Sequence, residues 1–234
     1  MTPEQFTSDL KAACGDNLLS LVLYGSAAAG DAVPGKSGAN TLAVLKTCGP
    51  ADLKAAAAGL KGWLKSGNPA PVMFSREQLL TSADTFPIEL ADMKDFHRVL
   101  YGEDILPAIT IKPHELRLAV ERELKGKLLR LREACLRAGG DRKTLTAVLA
   151  GFSSEMLVLC RAALRLKAGK VPATKLECAR ELKKHAAFDA EAFAAADALR
   201  RGEKPAEEIA ILFDRFLGAA AGLSAAVDSW DVAK

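Results

Sequence analysis

Residues 19–45 read LSLVLYGSAAAGDAVPGKSGANTLAVL. The run from Leu19 to Tyr24 is apolar and has the length of a buried strand, and Gly25-Ser26 ends it. A short small-residue segment then leads to Gly30-Asp31, and a second apolar strand runs from Asn40 to Leu45. Gly25 can take backbone angles closed to residues that carry a Cβ. Ser26 offers a hydroxyl and an N–H beside the exposed amides of the next helical turn. Together they can cradle a phosphate. A strand-to-helix turn without any ligand is also common in α/β proteins, so the turn by itself leaves both readings open.

The strand, the Gly25-Ser26 turn, Gly30 at its distance and the second strand together resemble the core of the DNA polymerase beta type nucleotidyltransferase superfamily. In that superfamily the second strand opens with Ser-Asp-x-Asp, whose carboxylates hold the divalent ions that activate the nucleotide. Here the stretch reads Ser37-Gly38-Ala39-Asn40. The resemblance therefore implies a nucleotide or phosphate ligand near Gly25, Ser26, Ser37 and Asn40, with Gly38 and Asn40 where two aspartates are expected. Two-metal phosphoryl transfer depends on anionic oxygens that fix hard cations at the entering and leaving atoms. An Asn carbonyl brings no charge and Gly38 brings no ligand, so magnesium is expected only if the chain is active.

One acidic position survives in the resemblance. Phe86-Pro87-Ile88-Glu89-Leu90-Ala91-Asp92-Met93 alternates like a strand, and its Ile-Glu-Leu resembles the third acidic position of the superfamily. Glu89 then faces the cleft as the one candidate catalytic or metal-holding carboxylate, while a period of two sends Asp92 to the other side. A solvated strand carboxylate is the plain alternative. Asp31 is a second survivor, although beside Gly30 it more naturally caps a helix or turn. The segment His97-Arg98-Val99-Leu100-Tyr101-Gly102-Glu103 resembles the end of small bacterial nucleotidyltransferase domains, so the resemblance spans nearly the whole first half.

Composition sets the outer limits. The chain has 234 residues, half of them apolar, enough for one large or two modest domains with a proper core. Cys14, Cys48, Cys135, Cys160 and Cys178 are odd in number and scattered, with no spacing suited to zinc, and read as small hydrophobes in a reducing cytosol. No apolar run reads as reaching bilayer length and the N-terminus lacks the regions of a signal peptide, so the expectation is a cytoplasmic protein without a membrane partner.

The pattern divides the chain at about residue 108. Residues 1–108 alternate helix and strand: helices at Pro3–Cys14, Pro50–Lys65 and Arg76–Ala83, and strands from Leu19, from Asn40, at Pro71–Phe74 and around Glu89. Gly67-Asn68-Pro69 is a turn. Residues 109–234 are helical throughout: Pro113–Ala138, a break at Gly139-Gly140, a helix capped by Asp141 that runs to Ala168, then Ala173–Ala186, Asp189–Arg201 and Pro205–Trp230. The expected fold is α/β (α+β), a nucleotidyltransferase-like domain with a small mixed sheet followed by an all-α antiparallel bundle. That arrangement looks like the helical partner domain of kanamycin-type nucleotidyltransferases and of the HEPN group, in which the bundle closes one wall of the substrate cleft.

Two features of the second half carry further readings. The segment Lys112–Lys143 holds ten Lys or Arg against five acids, with Arg117, Arg122, Lys125, Lys127, Arg130, Arg132 and Arg137 along one helix. Leu116, Val120, Leu124, Leu128, Leu131 and Cys135 form its apolar face, and the few aromatics are not interleaved with the cations, which argues against nucleic acid. Arg180 and His185 meet the Arg-to-His spacing of HEPN ribonucleases, a cation for the scissile phosphate and an imidazole for proton transfer, though the segment also reads as an ordinary amphipathic helix. His97 and His114 read as structural.

Three functions follow as expectations. One is a catalytically degenerate nucleotidyltransferase-fold protein that binds a nucleotide, a phosphate, a protein partner or a second copy of itself, with its ligand in the cleft between the halves. Another is an active enzyme that moves a nucleoside monophosphate to a small-molecule or protein hydroxyl. The third is a HEPN-like ribonuclease or interaction module.

Overall fold

A computed structural model describes residues 1–30 and 38–232; Asp31 and Ser37 lie outside them. The chain divides into two compact units, Met1–Ile111 and Lys112–Lys234.

In the first unit, β1 (Leu18–Tyr24) pairs antiparallel with β2 (Asn40–Leu45) on one edge and with β4 (His97–Gly102) on the other, while β3 (Val72–Ser75) runs parallel to β2. The mixed sheet has the order β3-β2-β1-β4. The two central strands are the two continuous apolar runs, as strands buried on both faces require. Helices α1 (Pro3–Cys14) and α3 (Pro50–Lys65) cover one face, where Phe6, Leu10, Leu21, Leu45 and Trp63 form the core. Helices α4 (Arg76–Thr81) and α5 (Pro87–Asp95), with the segment that carries Ile105, Leu106 and Ile109, cover the other.

Local chemistry fixes the helix starts. Thr2 and Gln5 form a reciprocal capping box on α1, and Ser75 and Gln78 form one on α4. The Asp52 carboxylate accepts from the Gly49 N–H and from the Asn17 amide, which ties the start of α3 to the turn before β1. At the end of β4, Gly102 has φ +76°, and a Cβ there would lie 1.9 Å from the Leu19 carbonyl oxygen. Only glycine fits that bulged crossing of β1 and β4.

The sequence expectation fails at residues 86–93. This stretch is the first two turns of α5, not a strand, and the fourth strand is His97–Gly102. Pro87 at the first helical position and Leu90, Ala91 and Met93 on the buried side explain the outcome, because a four-residue alternation is too short to outweigh a helix start. Consequently Glu89 and Asp92 stand three residues apart on one side of a helix, not on opposite faces of a strand.

The second unit is helical. It contains α6 (Pro113–Ala138), α7 (Arg142–Ala168), α8 (Lys175–Leu182), α9 (Ala190–Arg201) and α10 (Ile209–Asp228), with α7 packed against each of the others. The last three are shorter than the sequence pattern indicated, since residues 183–189 and 202–208 form turns. On α6, Leu128 and Cys135 are only half-buried, and Ala138 joins the buried stripe. Contrary to the expectation of no bilayer-length apolar run, α7 and α10 are long and apolar enough to cross a membrane by length and composition; 56% and 44% of their most apolar stretches are buried within the protein.

Two outcomes test this packing. The Phe6 and Trp63 rings stack with centroids 4.3 Å apart, and the Trp63 indole N–H donates to the Pro69 carbonyl at 2.9 Å. Trp63→Ala is expected to cost about 3–5 kcal/mol of unfolding free energy, read from urea denaturation. In the second unit, Asp189 caps α9 and accepts two hydrogen bonds from Arg215, at 2.9 and 2.7 Å. Burial pushes its carboxyl up, but the Arg215 guanidinium and the Glu191 and Ala192 amides outweigh burial and hold it below the usual aspartate value. The stability it contributes is therefore complete above about pH 4 and is lost as pH falls through the depressed value. Asp189→Asn should lower stability at pH 7 and flatten the acid limb of a melting-temperature profile.

Candidate functional site

The sheet register gathers a polar row at one end of the first unit. Tyr24 pairs with Asn40 on β2 and with His97 on β4, so the three residues stand side by side across the sheet. Directly opposed residues of antiparallel strands share a face. Tyr24 packs against the cluster that contains Leu90 and Met93, which places the row on the side covered by α5.

Gly25 follows Tyr24 with φ +74°, and its carbonyl accepts from the Ala28 and Ala29 amides to close the short helix α2 (Ser26–Ala29). A Cβ at position 25 would come within 3.3 Å of the Asn40 side-chain amide. The turn and the first residue of β2 are thus in near contact.

Glu89 is exposed in the first turn of α5. Burial pushes the Tyr24 phenol above its ordinary value, and the Glu89 carboxylate pushes it further in the same direction.

His97 was read as structural without a partner, and the structure gives it two. Its Nδ1 lies 3.2 Å from the Lys94 carbonyl and its Nε2 lies 3.1 Å from Asp104 Oδ2. Both neighbours are acceptors, so a neutral ring can donate to only one of them. The signal for His97 was obscured because the fourth strand had been placed at residues 86–93 instead of 97–102.

The positions of the two expected aspartates differ in what surrounds them. Asn40 is a half-buried residue at the strand end. Gly38 lies against the turn between α3 and β3: a Cβ there would come within 2.7 Å of the Pro69 ring, and the neighbouring Ala39 N–H donates to the Asn68 side chain at 3.1 Å. Among the described residues no group of three or more His, Cys, Asp or Glu side chains could hold a metal ion.

The sequence matches no protein-family model and no curated protein. Among solved structures, it is similar to the spectinomycin adenyltransferase of Enterococcus faecialis, solved with ATP and spectinomycin, at 13% identity and a TM-score of 0.59 over 98% of this chain and 100% of that one. The chain has a nucleotidyltransferase-like fold. At that identity the likeness carries the fold and leaves the chemistry to the residues just described.

In the helical unit, Arg180 and His185 lie near the end of α8 and beyond it. Arg180 is held by Glu191 through two hydrogen bonds, at 3.0 and 3.1 Å, and α8 ends at Leu182, which leaves His185 exposed in the turn beyond it.

The contrast between positions 38 and 40 can be measured. Asn40→Asp is expected to melt within about 2 °C of the parent, since it keeps shape at a half-buried position. Gly38→Asp must displace Pro69 and should lose about 1–3 kcal/mol, a fall of several degrees by differential scanning fluorimetry.

Proposed function

We propose that the first unit binds a nucleotide, or its phosphate, at the Gly25-Ser26 turn and does not turn it over. The observation that carries this reading is the pairing of an intact turn with a filled ligand position: Gly25 sits in its left-handed conformation against Asn40, while the Pro69 ring occupies the space a side chain at residue 38 would need. The likeness to a protein solved with ATP supports a nucleotide as the ligand. Phosphate recognition by a turn rests largely on backbone groups, which the loss of carboxylates leaves untouched.

A second reading is an active transferase in which Glu89 holds a single divalent ion. It is favoured by one fact, the action of the Glu89 carboxylate on the Tyr24 phenol beside Gly25 and Asn40. A divalent ion, if bound there, would supply Lewis acidity, and Glu89 would be its one charged ligand among the residues gathered at the turn.

Titration of ATP, GTP, CTP and UTP with and without magnesium separates the two. The first reading expects weak binding of similar strength in both conditions and no pyrophosphate release. Losing two charged ligands removes rate on a scale of tenfold for each 1.4 kcal/mol or so, hence many orders of magnitude in all. Gly25→Val, which forces a β-branched residue to φ +74° beside Asn40, should abolish binding while circular dichroism shows a folded chain. Magnesium-dependent turnover that disappears in Glu89→Ala would replace the first reading by the second.

A further inference from the structure

Helix α6 buries one stripe and leaves another bare. Leu116, Val120, Leu124 and Leu131 are buried. Leu118, Leu129 and Leu136 are 53%, 64% and 84% exposed. At about 100° per residue these three fall within about 20° of each other, opposite the buried stripe. Arg122, Lys125 and Arg132 lie between them on the same line, so the seam reads Leu118, Arg122, Lys125, Leu129, Arg132, Leu136, in alternating steps of four and three. That spacing is the one along which a second helix packs.

Among the described residues the acids of α6 pair with Lys125 of this seam but with neither of its arginines. Glu115 pairs with Lys112, Glu121 is shared by Arg117 and Lys125, and Glu133 is taken by Arg137. Among the described residues Arg122 and Arg132 make no ion pair, and both are exposed.

We propose that this outer seam of α6 docks an acidic amphipathic helix of a partner protein, with Leu118, Leu129 and Leu136 against its apolar stripe and Arg122 and Arg132 against its carboxylates. Charge complementarity selects this occupant. A second copy of the chain is disfavoured by the spacing itself: an antiparallel pairing that sets Leu118 on Leu136 also sets Arg122 on Arg132, and a parallel one sets each arginine on its own copy. Nucleic acid would satisfy the arginines but leave three exposed leucines facing phosphates, with no aromatic residue on the seam to stack a base.

The test uses the full chain and a fluorescein-labelled synthetic helix of about four turns, with leucines in a four-three seam and glutamates placed to face Arg122 and Arg132. A control peptide carries lysines in place of the glutamates. Anisotropy should show the acidic peptide bound at least tenfold more tightly than the basic one. The Leu129→Ser/Leu136→Ser variant should lose at least tenfold in affinity with an unchanged melting temperature, and Arg122→Glu/Arg132→Glu should invert the preference between the peptides. Equal binding of the two peptides, or affinity indifferent to the leucines, overturns the proposal. So does self-association in sedimentation that the leucine pair abolishes, which would assign the seam to a second copy, or tight binding of a single-stranded RNA oligonucleotide that the arginine pair abolishes.

Discussion

The first unit depends on β1 being satisfied on all four sides. Its backbone is paired with β2 on one edge and β4 on the other, and its side chains are covered by α1 and α3 on one face and by α4 and α5 on the other. A strand so placed has no freedom to slip, because a shift of one residue would carry every apolar side chain to the opposite face. The register that results is what aligns Tyr24 with Asn40 and His97. The polar row is therefore a consequence of core packing several residues away, and it needs no interaction of its own to hold it.

The same core reaches Gly38 through a short chain of contacts. Phe6 stacks on Trp63, the Trp63 indole holds the Pro69 carbonyl, and the Pro69 ring lies over Gly38. The turn that crowds residue 38 is thereby tied to the largest buried side chain of the unit. An acid at residue 38 would have to move a turn anchored in the core, whereas an acid at residue 40 would replace an amide of the same shape. Positions 38 and 40 are thus unlike in physical terms, although the sequence pattern treats them alike.

Much of this architecture was legible in the sequence, for identifiable reasons. Helices α1, α3, α6 and α7 have strong starts, Pro3, Pro50, Pro113 and Asp141, and their observed limits match the periodic pattern. β2 carries the apolar run Leu42–Leu45, and its limits match as well. The failures fall where a signal is short or local. Residues 86–93 alternate for four positions and then follow a helix start, so Glu89 was assigned to the wrong kind of element. The partners of His97 depend on Asp104 and on a carbonyl in the turn before β4, contacts that no periodicity encodes. The crowding of Gly38 by Pro69 joins residues some thirty apart and belongs to tertiary structure alone.

Glu89 stands on a helix where the sequence pattern indicates a strand. A strand and a helix differ in which neighbours a carboxylate meets, yet either can deliver one to the edge of a sheet if its buried side is fixed. In α5 that side is fixed by Ile88, Leu90, Ala91 and Met93, which leaves Glu89 exposed at the helix start, within electrostatic reach of Tyr24.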